Sequence, residues 1–286
     1  MHGMARRSYT ITDEQRGLRL DQALAALVPG LSRRGARSLI ESGAVYLEGR
    51  RCRTSSKFVR SGASVTMEHH EPPAAVALPE VRILWEGQEL LALDKQAGVP
   101  FSPTRSTVEG TLLYALARNL GRPIQQLHPV HRLDTPTSGA VLVALTTEAA
   151  AFMGRALEGG QVRKTYLAWV SGHPSPPGGE WRWPLTEVGS DGRVHTEVSG
   201  RPAARLYRTL RLLGREALLE LHPLTGRTHQ LRAHCALAGC PIVGDKTYGG
   251  PLTAPRALLH AWCLAFPLPA GGEEVVESPV PPDMDR

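Results

Sequence analysis

The stretch HPVHRLDTPTSGAVLVAL, residues 128–145, decides how the rest of this chain is read. Residues 141–145 are five apolar side chains in a row, the pattern of a strand buried on both faces. Ahead of them lies a polar loop, Thr135-Pro136-Thr137-Ser138-Gly139, and ahead of that Arg132-Leu133-Asp134. An aspartate at the mouth of a buried strand, two residues from an arginine, can be held in place and kept ionised by a guanidinium. A carboxylate nucleophile needs those conditions. A loop pinned by a structural Asp–Arg pair needs them too, and on spacing alone both readings stay open.

The surrounding chain limits the possibilities. Its 286 residues, 42% hydrophobic, suffice for one large core and a smaller satellite domain. The longest apolar stretch, residues 140–145 and 149–153, is interrupted by Glu148 and falls short of a membrane span. Arg6 and Arg7 are followed by no apolar segment, so no secretory signal is expected. Cys52, Cys235, Cys240 and Cys263 form no CxxC pair and read as reduced thiols of a cytoplasmic protein. His128, His131, His234 and Cys235 lack the spacing of a metal site. There is no GxSxG, HExxH, GxxxxGK or GxGxxG, which leaves hydrolase and nucleotide-binding readings without support.

Charge is concentrated. Arg33, Arg34, Arg37, Arg50, Arg51, Arg53, Lys57 and Arg60 are opposed within residues 31–60 only by Glu41 and Glu48, so this segment alone carries a net +6. Such a patch fits a polyanionic partner, although a solvated arginine-rich face has the same composition. Leu20, Ala23, Leu24 and Leu27 keep helical spacing up to Pro29-Gly30. Ser32 is placed to cap a second helix carrying Ala36, Leu39 and Ile40, with Gly43 just past its end. Val45 and Leu47 alternate into a Glu48-Gly49 turn, and Val65 with Met67 suggests a closing strand. Residues 71–80, EPPAAVALPE, read as a linker. Beyond it strands and helices alternate without a βαβ rhythm, so the class expected is α+β. The expected boundaries are an N-terminal extension 1–15, a first domain 16–70, the linker 71–80, a catalytic domain 81–270 and a mobile acidic tail 271–286.

Two resemblances follow from these residues. RLDQALAALVPGLSRRGARSLIESGAVYLEGRRC, residues 19–52, resembles the S4 RNA-binding domain. The resemblance places Ser32, Arg33, Arg34 and Arg37 against phosphates, and arginines beside a helix N-terminus make a suitable seat for them. HRLD followed by TSG and an apolar strand resembles the signature of the RluA-type pseudouridine synthases. Further segments match that family in order: LDKQAG at 93–98, RKTYLA at 163–168, LTGRTHQLR at 224–232, PIVGD at 241–245 with Tyr248-Gly249, and LHA at 259–261. Gln96 stands where the family usually has Pro, and Thr135-Pro136 replaces a commoner charged pair.

The second resemblance implies a pseudouridine synthase core, a mixed and largely antiparallel sheet with flanking helices, beside the small S4-like α/β domain. It implies that uridine becomes pseudouridine in a structured RNA, with no cofactor and no metal. Asp134 is then the nucleophile, attacking either C6 of the base or C1′ of the ribose. Arg227 is the residue expected to pair with it. Tyr166 is expected to lie against the uracil and remove the C5 proton, since it combines a flat apolar face with a polar tip. The target base must leave its stack. Arg132 and His131 are candidates for holding the opened RNA, with a hydrogen-bonded loop histidine the equal alternative for His131. Arg232, on a helix expected over residues 228–238, is a candidate RNA contact. The RNA expected is large-subunit ribosomal RNA, the protein a cytoplasmic monomer. A transfer-RNA synthase and a non-catalytic RNA-binding assembly factor are the alternatives.

Overall fold

Two segments fold around separate cores, Met1–Val76 and Ala77–Arg286. The computed structural model describes residues 5–28, 31–69, 78–103 and 108–286, so Pro29-Gly30 and most of the expected linker lie outside the described residues.

The first unit contains β1 (Ala5–Thr10), α1 (Leu20–Leu27), α2 (Arg33–Ser42), β2 (Val45–Leu47), β3 (Arg50–Cys52) and β4 (Ser64–His69). Its sheet runs β1-β4-β2-β3 with every pair antiparallel. Helical spacing brings Leu20, Ala23 and Leu24 against Ala36 and Ile40 and onto Val45, Val65 and Met67. Ser32 Oγ accepts the Gly35 N–H at 3.1 Å, and Gly43 ends α2 at φ 85°. The Glu48-Gly49 hairpin turn has positive φ at both residues, and the Glu48 carboxylate accepts the Ser64 N–H at 2.6 Å. Residues 1–15 are not an extension where they are described. β1 pairs with β4 over six residues and Ile11 is buried in the core, because the β4 edge would otherwise be an open template.

The second unit contains β5 (Arg82–Glu86), β6 (Leu90–Lys95), α3 (Leu112–Asn119), β7 (His128–Pro129), β8 (Ser138–Ala144), α4 (Thr147–Glu158) and β9 (Arg163–Ser171). It continues with β10 (Gly178–Arg182), β11 (Ala204–Leu213), β12 (Glu216–Pro223), α5 (Gln230–Leu237), β13 (Leu259–Pro267) and β14 (Glu273–Glu277). One sheet runs β10-β11-β12-β9-β13-β8-β6-β5, with β14 on β13 and β7 on β8. All pairs are antiparallel except β13 with β8, so the class is α+β. Strand alternation sends Leu91, Leu93, Val141 and Val143 into one core and Leu90, Ala92, Ala140 and Leu142 into another, which is why residues 141–145 are apolar without interruption. Gly139 sits at that parallel crossing with φ 118°, where a Cβ would meet the Ala261 carbonyl oxygen at 2.2 Å. Only glycine fits there.

Residues 271–286, expected to be a mobile tail, are built into the fold. β14 pairs with the second half of β13, and Val276 and Met284 are buried. Trp169 donates its Nε1–H to the Met284 carbonyl at 2.8 Å, and Arg256 grips Asp283 through two bonds of 2.6 and 2.7 Å. Val276 alone of this strand is buried, while Glu273, Val275 and Glu277 are exposed, so a polar average composition hides an edge strand. Trp169 and Trp181 are core residues, Trp181 stacking on Tyr207 with ring centroids 4.0 Å apart.

Candidate active site

Asp134 lies in the loop between β7 and β8, and that loop is fastened from several sides. The Asp134 carbonyl accepts the Thr137 N–H at 3.0 Å. The Thr135 carbonyl accepts from the Gly98 N–H at 2.8 Å and from the Lys95 ammonium at 3.2 Å. Arg256, held by Asp283, donates to the Pro136 carbonyl at 3.4 Å. Beyond the loop, Ser138 Oγ meets His260 Nδ1 at 2.9 Å, and His260 Nε2 faces the Ser278 carbonyl at 3.2 Å. Ser278 Oγ in turn donates to Asp94 at 2.9 Å.

The expected partner of Asp134 was Arg227, and the structure corrects this. Arg227 is exposed at the cavity rim, where its Nε donates to the Pro202 carbonyl at 3.3 Å. Arg232 takes the position instead: its Nη1 donates to Asp134 Oδ2 at 3.2 Å, while Nε and Nη2 hold Asp245 at 2.7 and 2.8 Å. Arg232 is only 5% exposed, and its guanidinium is turned to these two carboxylates. The reason is local. His229 adopts φ 54°, the chain turns there into α5, and the side chain one turn into the helix is aimed back at the loop. Arg205, buried under Trp181, fixes that turn by donating to the Leu231 carbonyl at 2.7 Å.

His229 is the second neighbour of Asp134, its Nε2 3.8 Å from Oδ2. Its Nδ1 is 3.1 Å from the Tyr248 hydroxyl, which already accepts the Val194 N–H at 2.9 Å. In the tautomer in which the phenol donates to Nδ1, the imidazole proton sits on Nε2, on the side of the carboxylate. Burial lowers the His229 pKa, with the Asp134 charge opposing it.

Asp134, His229 and Arg232 line a cavity of about 940 Å³. Tyr166 forms part of its wall, 8% exposed, its hydroxyl without a protein partner among the described residues. Burial, and after it the Asp134 charge, pushes the phenol far above its ordinary value. Tyr166 therefore enters any reaction protonated, and accepting a proton requires that it release its own. His131 lines the cavity too, but its Nε2 accepts the Leu142 N–H at 3.3 Å. Burial and then the Lys164 charge push its pKa down to about 3, so it is a neutral, loop-fixing histidine. Arg132 is exposed on the cavity rim without a hydrogen bond among the described residues.

Lys95 was absent from the sequence-based candidates. It is fully buried and gives its three donors to the carbonyls of Gln96, Val99 and Thr135. Burial lowers its pKa to about 7, opposed by Asp134. Its signal was present: in LLALDK it keeps step with Leu91 and Leu93 on the core-facing side.

In the first unit, Arg19, Arg33 and Arg37 converge on the buried Asp21 at 3.3, 3.2 and 3.3 Å. Burial raises the Asp21 pKa, but Arg33 and then Arg19 outweigh it and hold the carboxyl below its usual range. Arg33 and Arg37 remain half-exposed and, with Arg34, Ser38 and Glu41, line a shallow surface hollow. Ser32 spends its hydroxyl on the helix cap.

Comparison with known proteins agrees with this geometry. The RNA pseudouridylate synthase family matches residues 89–237, and the S4 domain matches residues 18–65. A protein named ribosomal large subunit pseudouridine synthase D, of Nitrosomonas europaea, is 35% identical over 96% of this chain and 85% of its own. An uncharacterised RNA pseudouridine synthase of Mycobacterium bovis is 36% identical over 99% and 97%. Human RNA pseudouridylate synthase domain containing 1 superposes with a TM-score of 0.61 at 29% identity, over 75% of this chain and 89% of that one. A buried sheet presenting an Arg-clamped aspartate to a large cavity, carried with an S4 domain, thus has relatives along nearly its whole length. The chain belongs to the RNA pseudouridylate synthase family: it is an RNA-binding enzyme that isomerises uridine to pseudouridine.

Proposed function

We propose that the RNA modified is large-subunit ribosomal RNA and that Asp134 is the nucleophile. The observation that carries the second part is the fastening of Asp134 at the cavity wall by Arg232, with a buried Tyr166 beside it. The reaction breaks the N1–C1′ bond, turns the uracil and rejoins it through C5, so N1 gains a proton and C5 loses one. Arg232 and His229 both address Oδ2, which leaves Oδ1 open to the substrate. The cavity lies at the upper end of the roughly 300–1,000 Å³ usual for ligand pockets, enough for an extruded nucleotide. Tyr166 offers the base a flat face and a hydroxyl. Arg34, with the outward edges of Arg33 and Arg37, supplies phosphate contacts from the S4 unit. The ribosomal assignment is supported by the name of the Nitrosomonas relative, a ribosomal large subunit pseudouridine synthase.

A modification map of ribosomal and transfer RNA, from cells with and without the gene, tests this. Loss of one pseudouridine in large-subunit RNA, restored by wild type and not by Asp134→Asn, is the expected result. A site lost from transfer RNA alone would move the substrate, and no lost site in either pool would favour a non-catalytic binder.

A further inference from the structure

Two lysines are drawn into the second unit, and they differ in one respect. Lys95 distributes its three donors over three carbonyls. Lys164, on β9, lines the cavity and has no hydrogen bond or ion pair among the described residues. Neither carboxylate of the cavity wall, Asp134 or Glu158, bonds to it. Its surroundings depress its pKa through burial, with no neighbouring charge acting to restore it. Removing an ammonium from water without a partner is costly, and a site that retains one is completed by whatever it binds.

Position indicates what that is. Lys164 and Tyr166 are two residues apart on one strand and so share a face. Exposure rises along β9 from buried Tyr166 through half-buried Lys164 to exposed Arg163, so Lys164 stands between the tyrosine and the mouth of the cavity. Across the opening its Nζ faces Gly226, where a Cβ would lie 3.7 Å away, so that wall is bare backbone. A uridine whose base lay against Tyr166 would have its backbone on the side of the mouth, where Lys164 stands.

We propose that Lys164 is the anion subsite of the cavity, its ammonium pairing with a phosphate adjoining the target uridine. This rests on the reading of the cavity as the uridine-isomerising site. The step is binding only: the phosphate replaces water around Nζ, no bond breaks, and Tyr166 and Asp134 are left to the base and sugar.

The experiment is a cycle of protein and RNA changes on the shortest synthetic stem-loop that wild type converts. Turnover is measured for wild type and Lys164→Gln, on RNA with natural phosphates and on RNA with a neutral methylphosphonate placed 5′ or 3′ of the target uridine. Lys164→Gln is expected to lower kcat/KM about 10- to 100-fold on natural RNA, mainly through KM, and about twofold or less on one of the two methylphosphonate RNAs. Lys164→Arg keeps the charge and is expected to lose about threefold or less. An equal loss for Lys164→Gln on both modified RNAs, no loss on natural RNA, or a loss for Lys164→Arg as large as for Lys164→Gln would each overturn the subsite. Wild type inactive on every RNA would instead remove the reading on which it rests.

Discussion

Arg232 holds Asp134 with one guanidinium nitrogen at 3.2 Å while its other two donor nitrogens hold Asp245 at 2.7 and 2.8 Å. Asp134 is thus tied to a buried clamp, and the clamp uses all three nitrogens of a planar fork. Asp245 is itself locked by the Thr247 and Tyr248 N–H groups at 3.0 and 3.2 Å.

Replacing Arg232 by Lys cannot reproduce that fork. It is expected to abolish turnover and lower unfolding free energy by about 1–3 kcal/mol, because a single ammonium keeps the charge but cannot bond both Asp245 oxygens and Asp134 together. Arg227→Ala, changing an exposed residue, should stay within about 0.5 kcal/mol of wild type and retain turnover. Urea unfolding and tritium-release assays on both variants decide the matter. Arg227→Ala dead and Arg232→Lys active would reverse the assignment.

Asp134→Asn should leave turnover below about one thousandth of wild type while RNA affinity is unchanged, since a neutral amide is not a nucleophile. Residual activity above that level would remove Asp134 from the role.

Asp283→Ala severs the grip on Arg256, which also braces the Pro136 carbonyl two residues from the nucleophile. The expected signature is a melting temperature lower by about 5 °C and a reduced kcat with RNA affinity unchanged. A variant with wild-type kcat would show that this brace does not reach the chemistry.

Burial holds the His131 and His234 pKa values down to about 3 and about 4, below the ordinary value of 6.5. The unfolded chain therefore binds protons that the folded one refuses, and stability is fully present above pH 6.5 and falls as pH drops through that value toward 4. The slope should approach about 1.4 kcal/mol per pH unit for each such histidine. Urea midpoints at pH 7 and pH 5 measure it, and His234→Gln should show a shallower fall. Equal slopes would mean that the buried ring is not what the acid acts upon.

Neutralising Arg33, Arg34 and Arg37 together should flatten the dependence of log affinity on log salt by up to about 0.7 per lost phosphate contact. An unchanged slope would take these residues out of the RNA interface.

Much of this was legible in the chain itself. Asp134 and the strand after it announced themselves through HRLD, TSG and five apolar residues. The choice between Arg227 and Arg232 did not, because both lie in one short motif and only the left-handed turn at His229 decides which faces the loop. Lys95 was hidden by being a charged residue in a core-facing position, where its partners are backbone carbonyls that no side-chain pattern reveals. The segment after Gly271 was misjudged from composition, since backbone pairing with β13 and a few buried side chains such as Val276 and Met284 hold it in spite of its glutamates.

That last strand also sets an order of events. Asp283 and Ser278 reach the catalytic loop through Arg256 and His260, and they are made long after Asp134. A chain still growing on a ribosome, even with its nucleophile already outside the exit tunnel, lacks the residues that steady the site. The loop that carries Asp134 is therefore fully braced only once synthesis has passed residue 283.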